Sequence, residues 1–180
     1  MIKKTVILLI GAVLIVSVLA AGCTFNVGTT TPSPLPTTTY DSANGFTITY
    51  PSDWTKDVPK SGLLDVLFGI PTNNATENLN VRVSNLSASD TLESRTSDRT
   101  EALQDYDNFT QISAGNTTLA GNPAYKIIYT ATVDGDHLKV TQIWTVKDGK
   151  EYTITYKAAP KNYETYLSTA QQMIDSFKIK

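Results

Sequence analysis

The stretch PAYKIIYTATVDGDHLKVTQIWTVKDGKEYTITYKA, residues 123–158, decides the fold of this 180-residue chain. It contains three runs rich in β-branched and aromatic residues, at 123–133, 138–146 and 151–158. The dipeptides between them, Asp134-Gly135 and Asp148-Gly149, tolerate the positive φ angles of tight hairpin corners. The stretch therefore predicts an antiparallel meander of three strands.

Alternation along the first run divides its side chains between two faces of the predicted sheet. One face receives Tyr125, Ile127, Tyr129, Ala131 and Val133. The other receives Lys126, Ile128, Thr130 and Thr132, and Ile143 of the next run adds apolar surface to it. We therefore expect both faces of the sheet to be covered at least in part.

Two helices are predicted around the meander. The C-terminal one has an apolar stripe with spacings of three and four, formed by Tyr163, Tyr166, Leu167, Ala170, Met173, Ile174 and Phe177. The other spans residues 91–106, with Asp90 as N-cap and Glu93 completing a capping pattern. Its buried side is predicted to consist of Leu92, Thr96, Leu103 and Tyr106.

Shorter strands are predicted before the first helix, at residues 46–50, 63–70 and 79–86. The order is then three strands, a helix, three or four strands and a helix. This order predicts an α+β fold in which an antiparallel sheet is flanked by helices. The predicted domain occupies residues 40–180 and is long enough to bury one core.

The N-terminal segment predicts export and lipidation. Two lysines, an apolar run and small residues precede Cys23, the single cysteine of the chain, and residues 1–22 resemble a lipoprotein signal peptide. The alternative is an uncleaved membrane anchor, because residues 5–22 just reach the length of a bilayer span. Either interpretation places the domain on the extracytoplasmic face of the cell membrane, and a lipidated Cys23 leaves no cysteine for a disulfide.

Residues 23–39 are rich in threonine and proline and contain little that could be buried. Such a composition predicts an extended tether that holds the domain away from the membrane.

The net charge of −2, with lysines and acids interspersed, argues against a nucleic-acid partner. Four sequons, at Asn74, Asn85, Asn108 and Asn116, permit N-glycosylation.

The weak candidates for contact with a ligand or partner are the side chains of Trp54, Asp65 and Arg82. Trp54 follows the strand-ending Pro51 and either plugs one end of the core or stacks on a ligand from an exposed rim. Asp65 interrupts an apolar run, and burial there would make it a candidate acid or base. The alternative pairs Asp65 with Arg82 across the sheet or points it toward solvent.

The sequence predicts no catalytic residue. A Ser-His-Asp triad would depend on His137, which lies just beyond a predicted hairpin corner, and the chain has no G-x-S-x-G motif. Asp134 and Asp136 are weak candidates for a metal site with His137, although Asp-Gly-Asp is also ordinary turn chemistry. We therefore expect no cofactor.

Four segments resemble the PsbP-like domain family, whose fold is shared by the Ran-binding Mog protein and the LpqN and DcrB lipoproteins. They are residues 45–54 (GFTITYPSDW), 118–130 (TLAGNPAYKIIYT), 148–156 (DGKEYTITY) and 176–179 (SFKI). The resemblance implies an α/β/α sandwich that binds or stabilises a larger assembly and does not catalyse a reaction. PsbP itself helps photosystem II to retain calcium and chloride, so calcium is implied here only by family analogy.

These observations predict a lipid-anchored surface protein whose domain binds an unidentified protein or small ligand. The alternative is a surface hydrolase acting on carbohydrates or esters, which would use carboxylates such as Asp65 and exposed aromatic side chains.

Overall fold

A computed structural model of the chain describes residues 36–72 and 75–180. Cys23, the signal-like segment, most of the tether and Asn74 lie outside the described residues. In chain order the elements are β1 (Thr37–Ser42), β2 (Phe46–Pro51), β3 (Thr55–Asp57), β4 (Val66–Gly69), β5 (Asn78–Asn85), α1 (Leu92–Leu103), β6 (Thr110–Leu119), β7 (Asn122–Val133), β8 (Asp136–Lys147), β9 (Lys150–Ala158), α2 (Pro160–Asp175) and β10 (Lys178–Ile179).

The strands form two sheets in which every pair is antiparallel. The larger sheet has seven strands in the order β3-β4-β5-β9-β8-β7-β6, and the smaller has three in the order β1-β2-β10. Helix α1 packs on one face of the larger sheet, while α2 and the small sheet pack on the other. The chain therefore forms an α+β sandwich, which confirms the predicted fold class.

The meander predicted from residues 123–158 is present as β7, β8 and β9. Its two corners have positive φ at both central residues, 53° and 87° at Asp134-Gly135 and 50° and 69° at Asp148-Gly149. A third corner of this kind, Ala120-Gly121, joins β6 to β7 with φ of 50° and 75°. It adds an outer strand, β6, whose bounds were not predicted from the sequence.

Helix α2 covers the centre of the larger sheet with the predicted apolar stripe. Tyr163, Ala170 and Met173 are at most 2% exposed, and Tyr163 stacks against Tyr156 of β9 at 5.0 Å between ring centroids. The residue before the helix is Ala159, which cannot cap it with a side chain. Glu77, 1% exposed, supplies this cap because its Oε1 accepts hydrogen bonds from Ala159 N (3.1 Å) and Asn162 Nδ2 (2.8 Å).

Helix α1 corrects two predicted details. Its N-cap is Thr91, which forms a capping box with Ser94, and not Asp90 with Glu93. Asp90 instead accepts a hydrogen bond from Ser87 N at 2.8 Å, one turn earlier. Tyr106 lies beyond the end of the helix and is 42% exposed, so it is not part of the buried side.

The α1 side of the sheet has its own apolar cluster. Leu103 packs there with six residues of β7 and β8, which are Ile127, Tyr129, Ala131, Leu138, Val140 and Trp144. The indole Nε1 of Trp144 donates to Thr96 Oγ1 at 3.0 Å. The two predicted faces of β7 are thus confirmed, and the face with Tyr125 is the one covered by α1.

Two predicted boundaries differ from the structure. Strand β1 begins at Thr37, so the last three residues of the predicted tether pair with β2 instead. The predicted strand 63–70 is shortened to Val66–Gly69, because Leu63 is 67% exposed and precedes the ladder. In the part of the chain that the structure describes, no helix is long and apolar enough to span a membrane.

Candidate binding groove

One end of the larger sheet is left open on the α2 side. Helix α2 packs on β2, β8 and β9, and the small sheet covers the end that contains β4. Strands β6 and β7 extend beyond α2, and β6 is exposed over most of its length. The step between the helix and the bare strands forms a groove, which we call the β6–α2 groove.

The β6–α2 groove has a volume of about 760 Å³ and is open to solvent. Its apolar lining is formed by Ile112, Ile128, Tyr163 and Leu167, and its polar lining by Lys126, Lys139, Glu164, Ser168, Gln171, Gln172 and Asp175. An open, mainly apolar groove of this size is typical of a surface that binds a partner.

A β-bulge places one of the apolar side chains. The register between β6 and β7 shifts between Gln111 and Ser113, so Ile112 has no direct partner on β7. Bulges re-aim side chains in this way. Ile112 lines the groove although it is 52% exposed, which makes it one of the few large apolar side chains at the surface of the described residues.

The two lysines of the groove have different surroundings. Lys139 Nζ lies 2.8 Å from Glu164 Oε1 and 4.3 Å from the centroid of the Tyr163 ring. Lys126 forms no ion pair with any carboxylate of residues 36–72 and 75–180. The groove therefore offers a half-buried lysine that forms no ion pair with a carboxylate of the described residues.

The hydroxyl of Tyr163 is already engaged, because it shares a hydrogen bond with the hydroxyl of Thr141. Burial raises the pKa of its hydroxyl, although the hydrogen bond with Thr141 and the charge of Lys139 act in the opposite direction. The hydroxyl is consequently neutral at physiological pH. Its contribution to the groove is an apolar ring surface.

Three smaller cavities flank β6. The first, of about 370 Å³, lies at the β6–β7 corner, and Leu119, Lys126 and Asp175 contribute to its lining. Two others lie beside the middle of the strand. One, of about 230 Å³, lies on the same side as the groove and is lined by residues 113–117 and Lys126. The other, of about 430 Å³, lies on the α1 side and is lined by Leu92, Glu93, Thr96, Asn116 and Tyr125. Lys126 lines the groove and both smaller cavities on this side of the sheet, so it is accessible from the whole open end of this face.

The family of the chain follows from a comparison of its sequence with protein-family models. The model described as PsbP-like protein matches residues 6–179, which is nearly the full length. This chain belongs to the PsbP-like protein family. No curated protein matches it in sequence.

Solved structures agree with the PsbP-like fold. The solution structure of cyanobacterial PsbP (CyanoP) from Synechocystis sp. PCC 6803 matches with a TM-score of 0.62 and 21% identity, covering 83% of this chain and 96% of that one. LpqN, involved in cell envelope biogenesis of Mycobacterium tuberculosis, matches with a TM-score of 0.56 and 15% identity, covering 83% and 87%. At these identities the likeness establishes the fold alone.

In this PsbP-like domain Trp54 is a core residue. It is 4% exposed and its ring meets that of Tyr166 edge-on, with 6.3 Å between centroids. The burial agrees with the interpretation of Trp54 as a plug over one end of the core. It leaves no ring surface on an exposed rim where a ligand could stack.

Asp65 holds the start of β4 in place, but not through Arg82. Its carboxylate accepts hydrogen bonds from Val83 N of β5 and from Asn44 Nδ2 in the turn between β1 and β2. Arg82 is exposed, and no ion pair joins it to Asp65. The predicted pairing is therefore wrong, because the carboxylate accepts a hydrogen bond from the backbone N–H of Val83, the residue after Arg82. Asp65 also lines a cavity of about 280 Å³ together with Tyr40 and Leu64, so its contact with a ligand stays a prediction.

The remaining candidates are at the surface. Asp134, Asp136 and His137 form the β7–β8 corner, where His137 is exposed, and the described residues contain no group of three potential metal ligands. The sequon residues Asn85, Asn108 and Asn116 are exposed. Asn108 Nδ2 donates to Thr132 Oγ1 at 3.0 Å, a bond that a glycan there would have to replace. Glycosylation stays a prediction.

Sequence reasoning did not single out the residues that form the groove. Ile112 lies in a segment without regular alternation, and its exposure depends on the bulge. Lys126 was assigned to the correct face, but its lack of a carboxylate partner depends on long-range packing. The one available indication was the mixed polarity of Lys126, Ile128 and Thr130 on a strand whose other face is wholly apolar.

Proposed function

We propose that this protein is a lipid-anchored, non-catalytic binding protein on the extracytoplasmic face of the cell membrane, and that it binds its partner in the β6–α2 groove. The observation that carries the proposal is the groove itself. It is open, mainly apolar and next to a cation without a carboxylate partner among the described residues. Exposed apolar surface rimmed by polar residues is typical of an interaction site.

The anchor is supported by the sequence. Cys23 follows an apolar run and small residues, and thirteen residues separate it from β1. Thirteen extended residues span up to about 40 Å at about 3.1 Å each. A lipidated Cys23 would thus give the domain room to meet partners near the membrane surface.

Lipidation is tested by mass spectrometry of the N-terminal peptide of the protein isolated from its own membranes. We expect Cys23 to be the first residue and to carry the mass of a lipid, and Cys23→Ser to release the protein from the membrane fraction. An intact N-terminus with a free thiol would instead establish the uncleaved anchor.

Binding in the groove is tested by cross-linking in intact membranes followed by recovery of the protein. We compare the wild type with Ile112→Glu, which places a charge in the groove. The matched control is Leu63→Glu, because Leu63 is 67% exposed, lies in the loop before β4 and does not line the groove. We expect Ile112→Glu alone to lose the partner. Equal recovery by all three proteins, or no partner with the wild type, would contradict the proposal.

A further inference from the structure

The two edges of the larger sheet differ in how well they are protected against pairing with another strand. At one edge β3 has three residues, Thr55–Asp57, two of which are charged. At the other edge β6 has ten residues, Thr110–Leu119, with the sequence TQISAGNTTL, which contains neither a charge nor a proline. Exposed edge strands normally carry such blocking features, because their free N–H and C=O groups can pair with another strand. Strand β6 has only the bulge at Ile112, near one end.

Both faces of β6 are open between this bulge and Leu119, which is 2% exposed and packs in the core. On the α2 side Gly115 lies opposite Lys126 of β7, and a side chain added at Gly115 would meet no atom within 4 Å. On the α1 side Asn116 lies opposite Tyr125, beside the cavity that Leu92 also lines. A strand paired with β6 would therefore find space for its side chains on both sides of the sheet.

We propose that β6 accepts an extended peptide segment of a partner protein as an eighth strand, and that this segment has an acidic residue next to an apolar one. The acidic side chain pairs with Lys126 across Gly115, and the apolar side chain enters the cavity lined by Leu92 and Tyr125. The inference rests on the proposed function, since it names the class of partner that the binding domain takes.

The spacing of the two residues follows from the register. Adjacent residues of a strand point to opposite faces, so neighbours opposite Gly115 and Asn116 face Lys126 and Tyr125 respectively. The added backbone lies two strand spacings, about 10 Å, from that of β7. A lysine and a glutamate side chain reaching toward each other span this distance, and Gly115 has no side chain in their way.

Charge distinguishes a partner protein from a second copy of this chain. Pairing of β6 with β6 of another copy would bring no carboxylate to Lys126, because the ten residues of β6 include no acid. A segment of different sequence can supply that carboxylate. Strand addition of this kind derives its affinity from main-chain hydrogen bonds and its specificity from alternate side chains.

The experiment uses the full-length chain in detergent micelles and soluble, fluorescently labelled nine-residue peptides of Thr and Val. One peptide has a central Leu-Glu pair, the order in which a strand antiparallel to β6 places Glu opposite Gly115 and Leu opposite Asn116. A second peptide has Leu and Glu separated by one residue, and a third has Leu-Lys in place of Leu-Glu. The protein variants are Lys126→Met, which removes the charge, and Gly115→Val, which fills the space in front of Lys126. The matched control is Lys60→Met, at an exposed loop position.

We expect the Leu-Glu peptide to bind and the separated pair to bind at least about fivefold more weakly, since its two side chains then share one face. Lys126→Met should weaken binding by about five- to tenfold, as for a partly buried ion pair. Gly115→Val should weaken it similarly, and Lys60→Met should have no effect. Lys126→Glu should reverse the preference in favour of the Leu-Lys peptide. Hydrogen exchange should show protection confined to Thr110–Leu119 upon binding.

Several results would overturn strand addition. They are equal binding of the adjacent and separated pairs, equal binding by Lys126→Met and the wild type, no binding of any peptide, or protection outside β6. A concentration-dependent dimer that Gly115→Val abolishes would show instead that the edge pairs with a second copy. If a cross-linked partner is lost with Ile112→Glu but kept with Lys126→Met and Gly115→Val, the groove-binding function stands and strand addition is wrong.

Discussion

Glu151→Gln is predicted to destabilise the protein more than any single charge removal at its surface. Glu151 is the second residue of β9 and is 1% exposed. Its Oε2 accepts from Arg95 Nε at 3.1 Å, and its Oε1 accepts from Arg99 Nη2, so that one carboxylate binds two arginines of α1. Arg99 also lies over the Trp144 ring, 5.4 Å from its centroid. The substitution keeps the shape of the side chain and removes its charge.

The magnitude follows from how strongly each group is buried. Breaking a buried ion pair by removing one partner costs about 3–5 kcal/mol, whereas an exposed pair is worth about 0–1 kcal/mol. Here the carboxylate is buried, but the side chains of Arg95 and Arg99 are 29% and 16% exposed and remain partly hydrated. We therefore expect a loss near the lower limit of the buried range, about 3 kcal/mol at pH 7.

The effect depends on pH with a definite sign. Burial alone would raise the pKa of Glu151, but the hydrogen bonds and charges of Arg99 and Arg95 outweigh it and hold the pKa below its ordinary value of 4.5. A lowered pKa in the folded state means that this stabilisation is fully present above pH 4.5 and is lost as the pH falls through the folded-state pKa. The difference between wild type and Glu151→Gln should therefore shrink below that pH.

The assay is urea unfolding at pH 7 and at several values below pH 4.5, monitored by tryptophan fluorescence. The matched control is Asp98→Asn, which removes another carboxylate near Arg95, 3.1 Å away but 64% exposed. We expect the control to change the free energy of unfolding by less than about 0.5 kcal/mol. A loss below about 1 kcal/mol for Glu151→Gln at pH 7, or one that does not change with pH, would refute the reasoning.

Three further predictions concern stability and are checked by the same urea titration. Trp54→Ala should cost about 3–5 kcal/mol because it empties one end of the core, whereas Leu63→Ala should stay within about 0.5 kcal/mol; similar losses would contradict the placement of Trp54. Glu77→Ala should cost about 1–2 kcal/mol by leaving the start of α2 uncapped, and a neutral result would show that water caps the helix equally well. Asp65→Asn should cost about 1 kcal/mol by losing one of two accepted hydrogen bonds while Arg82→Ala costs less than about 0.5 kcal/mol, and a larger loss with Arg82→Ala would restore the rejected pairing.

The meander and both helices could be predicted because their signals are local. An Asp-Gly corner requires positive φ whatever surrounds it, and the stripe of α2 repeats with the helical period. The choice of N-cap in α1 could not be predicted in the same way, because two neighbouring residues compete for it. Asp90 and Thr91 are both good N-caps, and the choice of Thr91 depends on Ser94 completing the capping box while Asp90 caps the preceding turn.

Long-range contacts account for most of what the sequence did not reveal. Glu77 caps a helix 82 residues away, and Glu151 binds arginines more than 50 residues earlier. Strand β6 has small polar residues without alternation, because as an edge strand it buries almost nothing. The position of an edge strand is decided by the strand with which it pairs. Nine consecutive residues of β7 pair with β6. The candidate groove is bounded by this strand, so its location could not be predicted.

The open end of the sheet follows from the number of elements available to cover it. A sheet of seven strands is about 29 Å wide, and one helix covers a band of about 10 Å. On the α2 side the small sheet and α2 together reach from β4 to β8 and bury Leu119 and Ala124 at the β6–β7 corner. No other described element is left to cover the rest of β6 and β7. A face covered permanently by another subunit would be expected to be apolar, whereas here Ile128 alternates with Lys126 and Thr130. This mixture suits a surface that is hydrated when free and binds a partner reversibly, which is why we assign the groove to transient binding and not to a fixed subunit contact.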